Sequence, residues 1–288
     1  MARSLAPALT GAGYRVVSVA SRTQASAYAV AALVPGCKVG TLQQTGDAAD
    51  LVLITTSDGA IADVVAQVRW RDGMSAVHCS GALTTDVLEV AKAQGSGVGS
   101  WHPFQTFSDV LSNVGTRSDV DGGRGNGSAA SPLDGATVGI EAEGALLETL
   151  TVMAERLGAV PLPVPAEARV LYHAASVMSC GYLTTLLHQA ELLWERAGLP
   201  REGAMPAIAH IVHTTVDKVA AGGAGAALSG PTSRGDAATV HLHLEAIASA
   251  APEILPLYRE IAKRSVSLAE EAGKPAGDID WEGLLGRR

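Results

Sequence analysis

The sequence predicts an α/β protein: a doubly wound parallel sheet domain over 1–164, then an all-helical domain over 165–288. Three observations carry this reading. Short β-branched apolar runs alternate with helical stretches of about ten residues through the first half, the pattern of a sheet with helices on both faces. After Pro165 the strand-like runs stop and helical periodicity alone remains. Finally, 47% of the 288 residues are hydrophobic but only 2 are Phe and 4 Trp, so Ala, Val, Leu and Ile must build the core.

Leu5, Ala8 and Leu9 recur at helical spacing, and Gly11-Ala12-Gly13 supplies the stop. The run from Tyr14 to Ala20 (YRVVSVA) reads as a buried strand, and Ala25 to Leu33 as a helix. Leu51 to Thr55 (LVLIT) is a second strand, followed by a helix over Ile61 to Val68. Ala76 to Cys79 is a third strand and Thr84 to Ala93 a helix. Val98 to Ser100 leads a further strand into Trp101-His102-Pro103. The stretch 118–132 (SDVDGGRGNGSAASP) has no aromatic, Leu or Ile and reads as an exposed insertion loop. Beyond it come a strand at Ala136 to Ile140, a helix at Leu146 to Leu157 and a Pro-broken strand at Val160 to Val164. In the second half Ala168 to Ala197 is one helix, apolar nearly all round and expected to be buried in a bundle or a subunit interface. Helices over Ala204 to Ala221, Ala237 to Ala250 and Ile254 to Ala272 follow, with one long break at Gly222 to Ser233.

Composition narrows the function classes. Lys plus Arg number 21 against 29 Asp plus Glu, a formal charge of -8, which argues against nonspecific nucleic-acid binding. Cys37, Cys79 and Cys180 are widely spaced, which suits a reducing cytoplasm and neither a disulfide framework nor a zinc site. Apolar stretches stay below the ~18 residues of a membrane span, and Met1-Ala2-Arg3-Ser4 opens no secretory signal, so a soluble, cytoplasmic protein is expected.

In a doubly wound sheet ligands bind beyond the carboxyl ends of the strands, so the residues after each strand matter most. Ser21-Arg22-Thr23 stands where a dinucleotide fold meets the adenosine ribose. Arg22 suits a 2′-phosphate there, and no acidic neighbour competes, which points to NADP. Thr55-Thr56-Ser57-Asp58 and Cys79-Ser80-Gly81-Ala82 end the next strands with small polar residues that let backbone approach a flat cofactor. His78 and His102 sit on the same rim, where a histidine can supply a proton as hydride arrives; a structural histidine held by a loop carbonyl is the competing reading for each. Phe104 and Phe107 are expected to pack the domain junction. In the helical half Tyr172, His173, Ser176 and Cys180 mark one face that could supply polar groups to a pocket or merely interrupt a bundle core. His210 and His213 lack a third ligand, so no metal is expected. Arg234, in the loop Gly230 to Asp236, could clamp an anionic substrate, while Asp236 caps the next helix.

These residues resemble a family. ALTGAGYRVVSVASRT, LVLITTSDGAIADV, VHCSGAL and GSWHPFQTF look like the Rossmann-like half of DUF2520 proteins, while PAEARVLYHAASVMSCGYL and SGPTSRGDAATVHLHLEA look like their helical half. Such proteins are similar in architecture to pyrroline-5-carboxylate reductase, ketopantoate reductase and 6-phosphogluconate dehydrogenase. The resemblance implies an NADP-type oxidoreductase whose helical half packs as a homodimer. It also places Arg234 on a substrate-contacting loop. Family members tend to carry Asn at the position of Cys180. They also begin with a strand and G-x-G-x-x-[GA], whose third position falls here on Ala2, making Ala2 a cofactor-binding candidate. The first strand and both leading glycines have no counterpart, roughly a dozen residues on typical strand and loop lengths. The expectation is therefore an upstream start, since the strand's two neighbours would otherwise each expose an unpaired edge mid-core.

The leading expectation is an NADP-dependent oxidoreductase passing hydride between nicotinamide and a small C=O or C=N substrate. Its candidate catalytic residues are His78, Ser80, His102, His173 and Arg234. Its cofactor contacts are Ala2, Ser21, Arg22, Thr23, Thr55, Thr56, Ser57, Asp58 and Gly81. A non-catalytic dimeric dinucleotide-binding or scaffold protein is the alternative.

Overall fold

The computed structural model describes residues 1–107, 131–274 and 279–286. The insertion read at 118–132 lies outside them except for its last two residues. The described chain divides into two compact units, Met1–Cys180 and Gly181–Arg288.

The first unit is α/β, as the alternation predicts, but its strands form two separate sheets. Helix α1 (Ala2–Gly11) leads to β1 (Ser18–Val19), α2 (Gln24–Ala31), β2 (Lys38–Val39) and α3 (Leu42–Asp47). Thr23 caps α2 and Thr41 closes a capping box with Gln44 at the start of α3. Then come β3 (Leu51–Ile54), α4 (Ile61–Ala66), β4 (Ser75–His78), α5 (Glu89–Ala93) and β5 (Gly97–Pro103). β6 (Thr137–Glu141), α6 (Gly144–Arg156), β7 (Val160–Pro163) and α7 (Arg169–Val177) complete the unit. β1 pairs only with β2, and β3-β4-β5-β6-β7 form a five-stranded sheet.

Three sequence expectations change here. The strand read over Tyr14 to Ala20 is regular only at Ser18–Val19, because it has a partner on one side alone. β2 and α3 were not anticipated: each is too short for a periodic signal. The sheet is also not wholly parallel, since β6 runs antiparallel to β5 while the other pairs are parallel.

The β5–β6–α6 region encloses the larger core, with Trp101 and Leu150 fully buried and Trp101 Nε1 donating to Leu150 O at 3.2 Å. A second core of Ile61, Val65, Trp70, Met74 and Leu88 packs the other side of β3 and β4. Phe107 packs against the first of these cores.

The helical run after Pro165 is not uniform. A π-helical turn at Met178–Tyr182 separates α7 from α8 (Leu183–Arg196). The run is not buried within the single chain, where Leu171 is 78% and Met178 66% exposed, which leaves the subunit-interface alternative of the expectation. With its short leading turn the run spans Ala166–Arg196, 31 residues whose most apolar window has mean hydropathy 1.2, long and apolar enough to cross a membrane. That exceeds the sequence expectation, but it concerns length and composition only. Within the run, Arg169 is fully buried in a polar cluster of the sheet unit.

The second unit holds α8, α9 (Arg201–Ala227), α10 (Ala237–Ala250), α11 (Leu255–Glu271) and α12 (Trp281–Leu285). α9 continues past the stop expected at Gly222, but Gly223 breaks its helical geometry with φ 79°. Val240, Leu244, Val266, Trp281 and Leu285 form this unit's main core.

Candidate functional site

The carboxyl ends of β3, β4 and β5 collect most of the predicted site residues, and α7 brings two more to them. His78 ends β4 and lies in register with Ser100 on β5. It is fully buried, and burial, then the nearby Arg169, holds its pKa down at about 4. Its Nδ1 accepts from Ser80 N–H at 3.2 Å, so its Nε2 donates to Thr84 O at 3.2 Å. Both nitrogens are committed to holding the loop after β4.

Ser80 is the centre of that loop. Its Oγ donates to Asp58 Oδ2 at 2.8 Å and accepts from the amides of Ala82 and Leu83 at 3.2 and 3.1 Å. The loops after β3 and β4 are thereby tied together. Beside it, Gly81 has no room for a side chain: a Cβ would stand 2.4 Å from His173 Nδ1 and 2.8 Å from His102 Nε2.

Those two imidazoles therefore converge over bare backbone. Their rings are edge-on, with centroids 5.6 Å apart. His102 Nδ1 meets the Tyr172 hydroxyl at 3.0 Å, and Gly139 on β6 makes the space for that phenol, since a Cβ there would lie 2.7 Å from Tyr172 Oη. Burial, then His173, then Arg169 lower the His102 pKa to about 4, so its ring is neutral at pH 7. The Tyr172 hydroxyl also donates to His102 O at 3.4 Å, so the pair is satisfied with the His102 proton on either ring nitrogen, and Nε2 lies against Gly81. His173 Nδ1 is buried and, among the described residues, has no hydrogen-bond partner.

Arg169 was missed from the sequence. Its guanidinium donates to Leu83 O and Ser80 O and lies 3.4 Å from Glu141 Oε2. The other oxygen of Glu141 accepts from Thr85 N–H and Oγ1 at 3.1 and 2.9 Å. α7, β6 and the β4 loop are thus joined through one buried ion pair. The available signal was a lone cation opening the apolar stretch ARVLYHAASVMSCGYL.

The cofactor candidates lie along a cavity of about 1390 Å³. Ala2, Ser21, Arg22, Thr23, Thr55, Thr56 and Ser57 all line it. Arg22 is exposed and, among the described residues, bonds to none. Asp58 and Gly81 lie with the Ser80 group instead. Arg234 belongs to the other unit, at the end of a 3-10 turn, Thr232–Arg234. Nearby, Asp236 caps α10 by accepting from Thr239 N–H at 3.0 Å. Cys180 lies in the π-helical turn. Among the described residues no three His, Cys, Asp or Glu side chains cluster as metal ligands.

Residues 1–103 match the model of the Rossmann-like domain, and residues 136–265 match that of DUF2520, a domain of unknown function. No curated protein matches the chain. Among solved structures, a Bacteroides fragilis protein described provisionally as an NADP oxidoreductase superposes with TM-score 0.70 at 24% identity, over 92% of this chain and 93% of that one. A Thermotoga maritima protein gives TM-score 0.70 at 21% identity, over 94% and 97% of the two chains. A reductive aminase from Aspergillus terreus, in complex with NADPH and ethyl-5-oxohexanoate, gives 0.61 at 15% identity, over 99% and 95%. At these identities the likeness is one of fold. The DUF2520 match begins at β6 and so includes α7, with Tyr172 and His173, in the domain that follows the Rossmann-like strands.

Proposed function

We propose that this protein is an NADP-dependent oxidoreductase acting on a small C=O or C=N substrate. The observation that carries the reading is the neutral His102 held by Tyr172, its Nε2 aimed with His173 Nδ1 over Gly81 at a strand end. The fold shared with an NADPH-bound reductive aminase supports it.

The cofactor fits one part of the chain and lacks support in another. Arg22 offers an unengaged guanidinium for a 2′-phosphate, with Ser21 and Thr23 beside it. Ala2 opens α1 and lines the same cavity, so the positive end of the helix suits a pyrophosphate there. The glycine turn that would bring further amides close is not among the residues present. When bound, the dinucleotide would supply the hydride.

The protein's own groups manage the proton and the geometry. His102 Nε2, packed with His173 against Gly81, is proposed as the donor to the substrate heteroatom as negative charge develops. The role requires Tyr172 to donate to Nδ1, which leaves the His102 proton on Nε2. A neutral imidazole serves here as a hydrogen-bond donor, which its lowered pKa ensures at pH 7. His78, Ser80 and Arg169 hold the loop that carries Gly81. His173 packs its buried Nδ1 against the same glycine. Arg234 is proposed to bind an anionic group of the substrate, a role that rests on its loop alone. A homodimer through the helical half is part of the proposal, supported by the exposed apolar side chains of Leu171, Met178, Ile211 and Leu242. Three free thiols suit the cytoplasm. No observation favours the non-catalytic alternative.

The test is a pair of fluorescence titrations with NADPH and NADH. Arg22→Ala should weaken NADPH about tenfold or more, as expected for losing a charge-assisted phosphate contact, and leave NADH nearly unchanged. Equal effects on both would remove Arg22 from the 2′-phosphate role.

A further inference from the structure

The loop after β4 is braced by a side chain that fits there in only one ionisation state. His78 closes β4 and is fully buried. Its Nδ1 accepts from the Ser80 amide and its Nε2 donates to Thr84 O, so one imidazole ties the loop at both ends. A backbone amide only donates and a carbonyl only accepts, so these two bonds admit a single neutral tautomer. A second proton on Nδ1 would set one N–H against another and break the Ser80 bond. His102 differs in this respect. The Tyr172 hydroxyl reaches both its Nδ1 and its carbonyl oxygen, so that pair can reorganise around an added proton.

The surroundings also oppose a charge on His78. From α7 the Arg169 guanidinium donates to Ser80 O and Leu83 O in the same loop. His102 on β5, with Tyr172 and His173 of α7 packed on it, would add like charge in acid and none at neutral pH. Cys79, next in sequence, is held as a neutral thiol by burial. Three carboxylates face the cluster. Asp58, after β3, accepts from Ser80 Oγ; Glu141 on β6 pairs with Arg169; Asp86 accepts from the Thr84 hydroxyl. None of them bonds to the His78 ring, whose two nitrogens are taken by backbone. Burial and Arg169 outweigh Asp58, which agrees with a pKa of about 4 against the ordinary 6.5.

We propose that His78 is an acid-release catch: neutral, it holds the loop from Ser80 to Thr84 closed, and its protonation opens that loop and takes Gly81 away from His102 and His173. Closed, the loop keeps the Ser80 hydroxyl on Asp58 and two carbonyls on Arg169. Open, the ring meets water and titrates at its ordinary value. The sign follows from proton counting. The open form binds the extra proton more readily, so the closed form is fully favoured above about pH 6.5. It weakens about tenfold per pH unit below that, and the loss levels off below about pH 4. The catch would regulate the site proposed above, yet it rests on the loop's own hydrogen bonds and not on what the site binds.

The experiment follows amide exchange of the full chain from about pH 7.5 to about 4.5 without cofactor, each rate divided by its intrinsic value at that pH. Protection at Ser80, Ala82 and Leu83 should fall at least about tenfold per unit below about pH 6.5. Val160 and Val164, whose amides bond to Ala136 O and Ile140 O, should keep theirs. Asp58, Asp86 and Glu141 also titrate in acid, so His78→Asn isolates the histidine: its Oδ1 can accept from Ser80 N–H and it carries no titratable proton. The fall in this variant should be shallower by about tenfold per unit. A fall as steep as the parent's, or a parent loop equally protected across the range, overturns the proposal. Equal losses at Val160 and Val164 mean that the whole unit unfolds, which overturns it too. Ring nitrogen chemical shifts of His78 in the parent need no variant. They should show the Nε2–H tautomer at neutral pH, with charge appearing only as the loop amides lose protection. A charged ring in a loop that stays protected overturns the catch. NADPH binding at neutral pH, present or absent, bears on the oxidoreductase reading alone.

Discussion

A methyl group at position 81 would collide with two imidazoles at once, which makes Gly81→Ala a direct probe of the convergence of His102 and His173. The loop is pinned by Ser80 and Arg169 and cannot simply move aside. Overpacking of this kind costs about 1–3 kcal/mol, read as a fall in the urea midpoint. Gly81→Ala combined with His173→Ala should recover part of that loss; simple additivity of the two changes would show that the rings do not meet over this glycine. Single residues were unevenly legible in the sequence. Ser80, Gly81 and His102 were found because each follows or ends an apolar strand run, where ligands of such sheets bind. Tyr172 and His173 were noted as one polar helix face, but nothing local says that Tyr172 reaches His102. Arg169 was passed over because an arginine at a helix start reads as solvated, and only burial against Glu141, 28 residues away in sequence by their numbering, reveals it.

At the scale of elements, α7 and the β4 loop are held to β6 through Arg169 and Glu141. Removing the cation leaves a largely buried carboxylate unpaired and takes a donor from Leu83 O and from Ser80 O, which keeps Ser100 Oγ at 3.4 Å. Arg169→Met should therefore cost about 3 kcal/mol or more, with faster amide exchange concentrated in α7 and the loop after β4. Adding Glu141→Gln should return part of the stability, since the uncompensated charge is gone. A uniform loss across the unit, with no local opening, would contradict this account of the tie. Strand and helix existence was mostly readable, because LVLIT and AVHC are apolar runs bounded by turn residues. The reversal of β6 was not readable, because direction depends on the connection from β5, much of which lies in residues of low sequence information. What covers α7 was left open by the sequence for a related reason. An apolar stripe predicts that something covers it, and its periodicity does not say whether the cover is this chain or another.

On the scale of the whole molecule, the two domain matches and the α/β-then-helical order agree with what composition and periodicity suggest. The single sheet expected is instead two sheets, and strands of both line one cavity. Function hangs on whether that groove holds a nicotinamide dinucleotide along the strand ends. Hydrogen exchange with and without NADPH asks this most directly. The account predicts slower exchange at Ser21 to Thr23, Thr55 to Ser57 and Gly81, and no comparable change with NADH at Arg22. Exchange unaltered by NADPH at all three strand ends would contradict it.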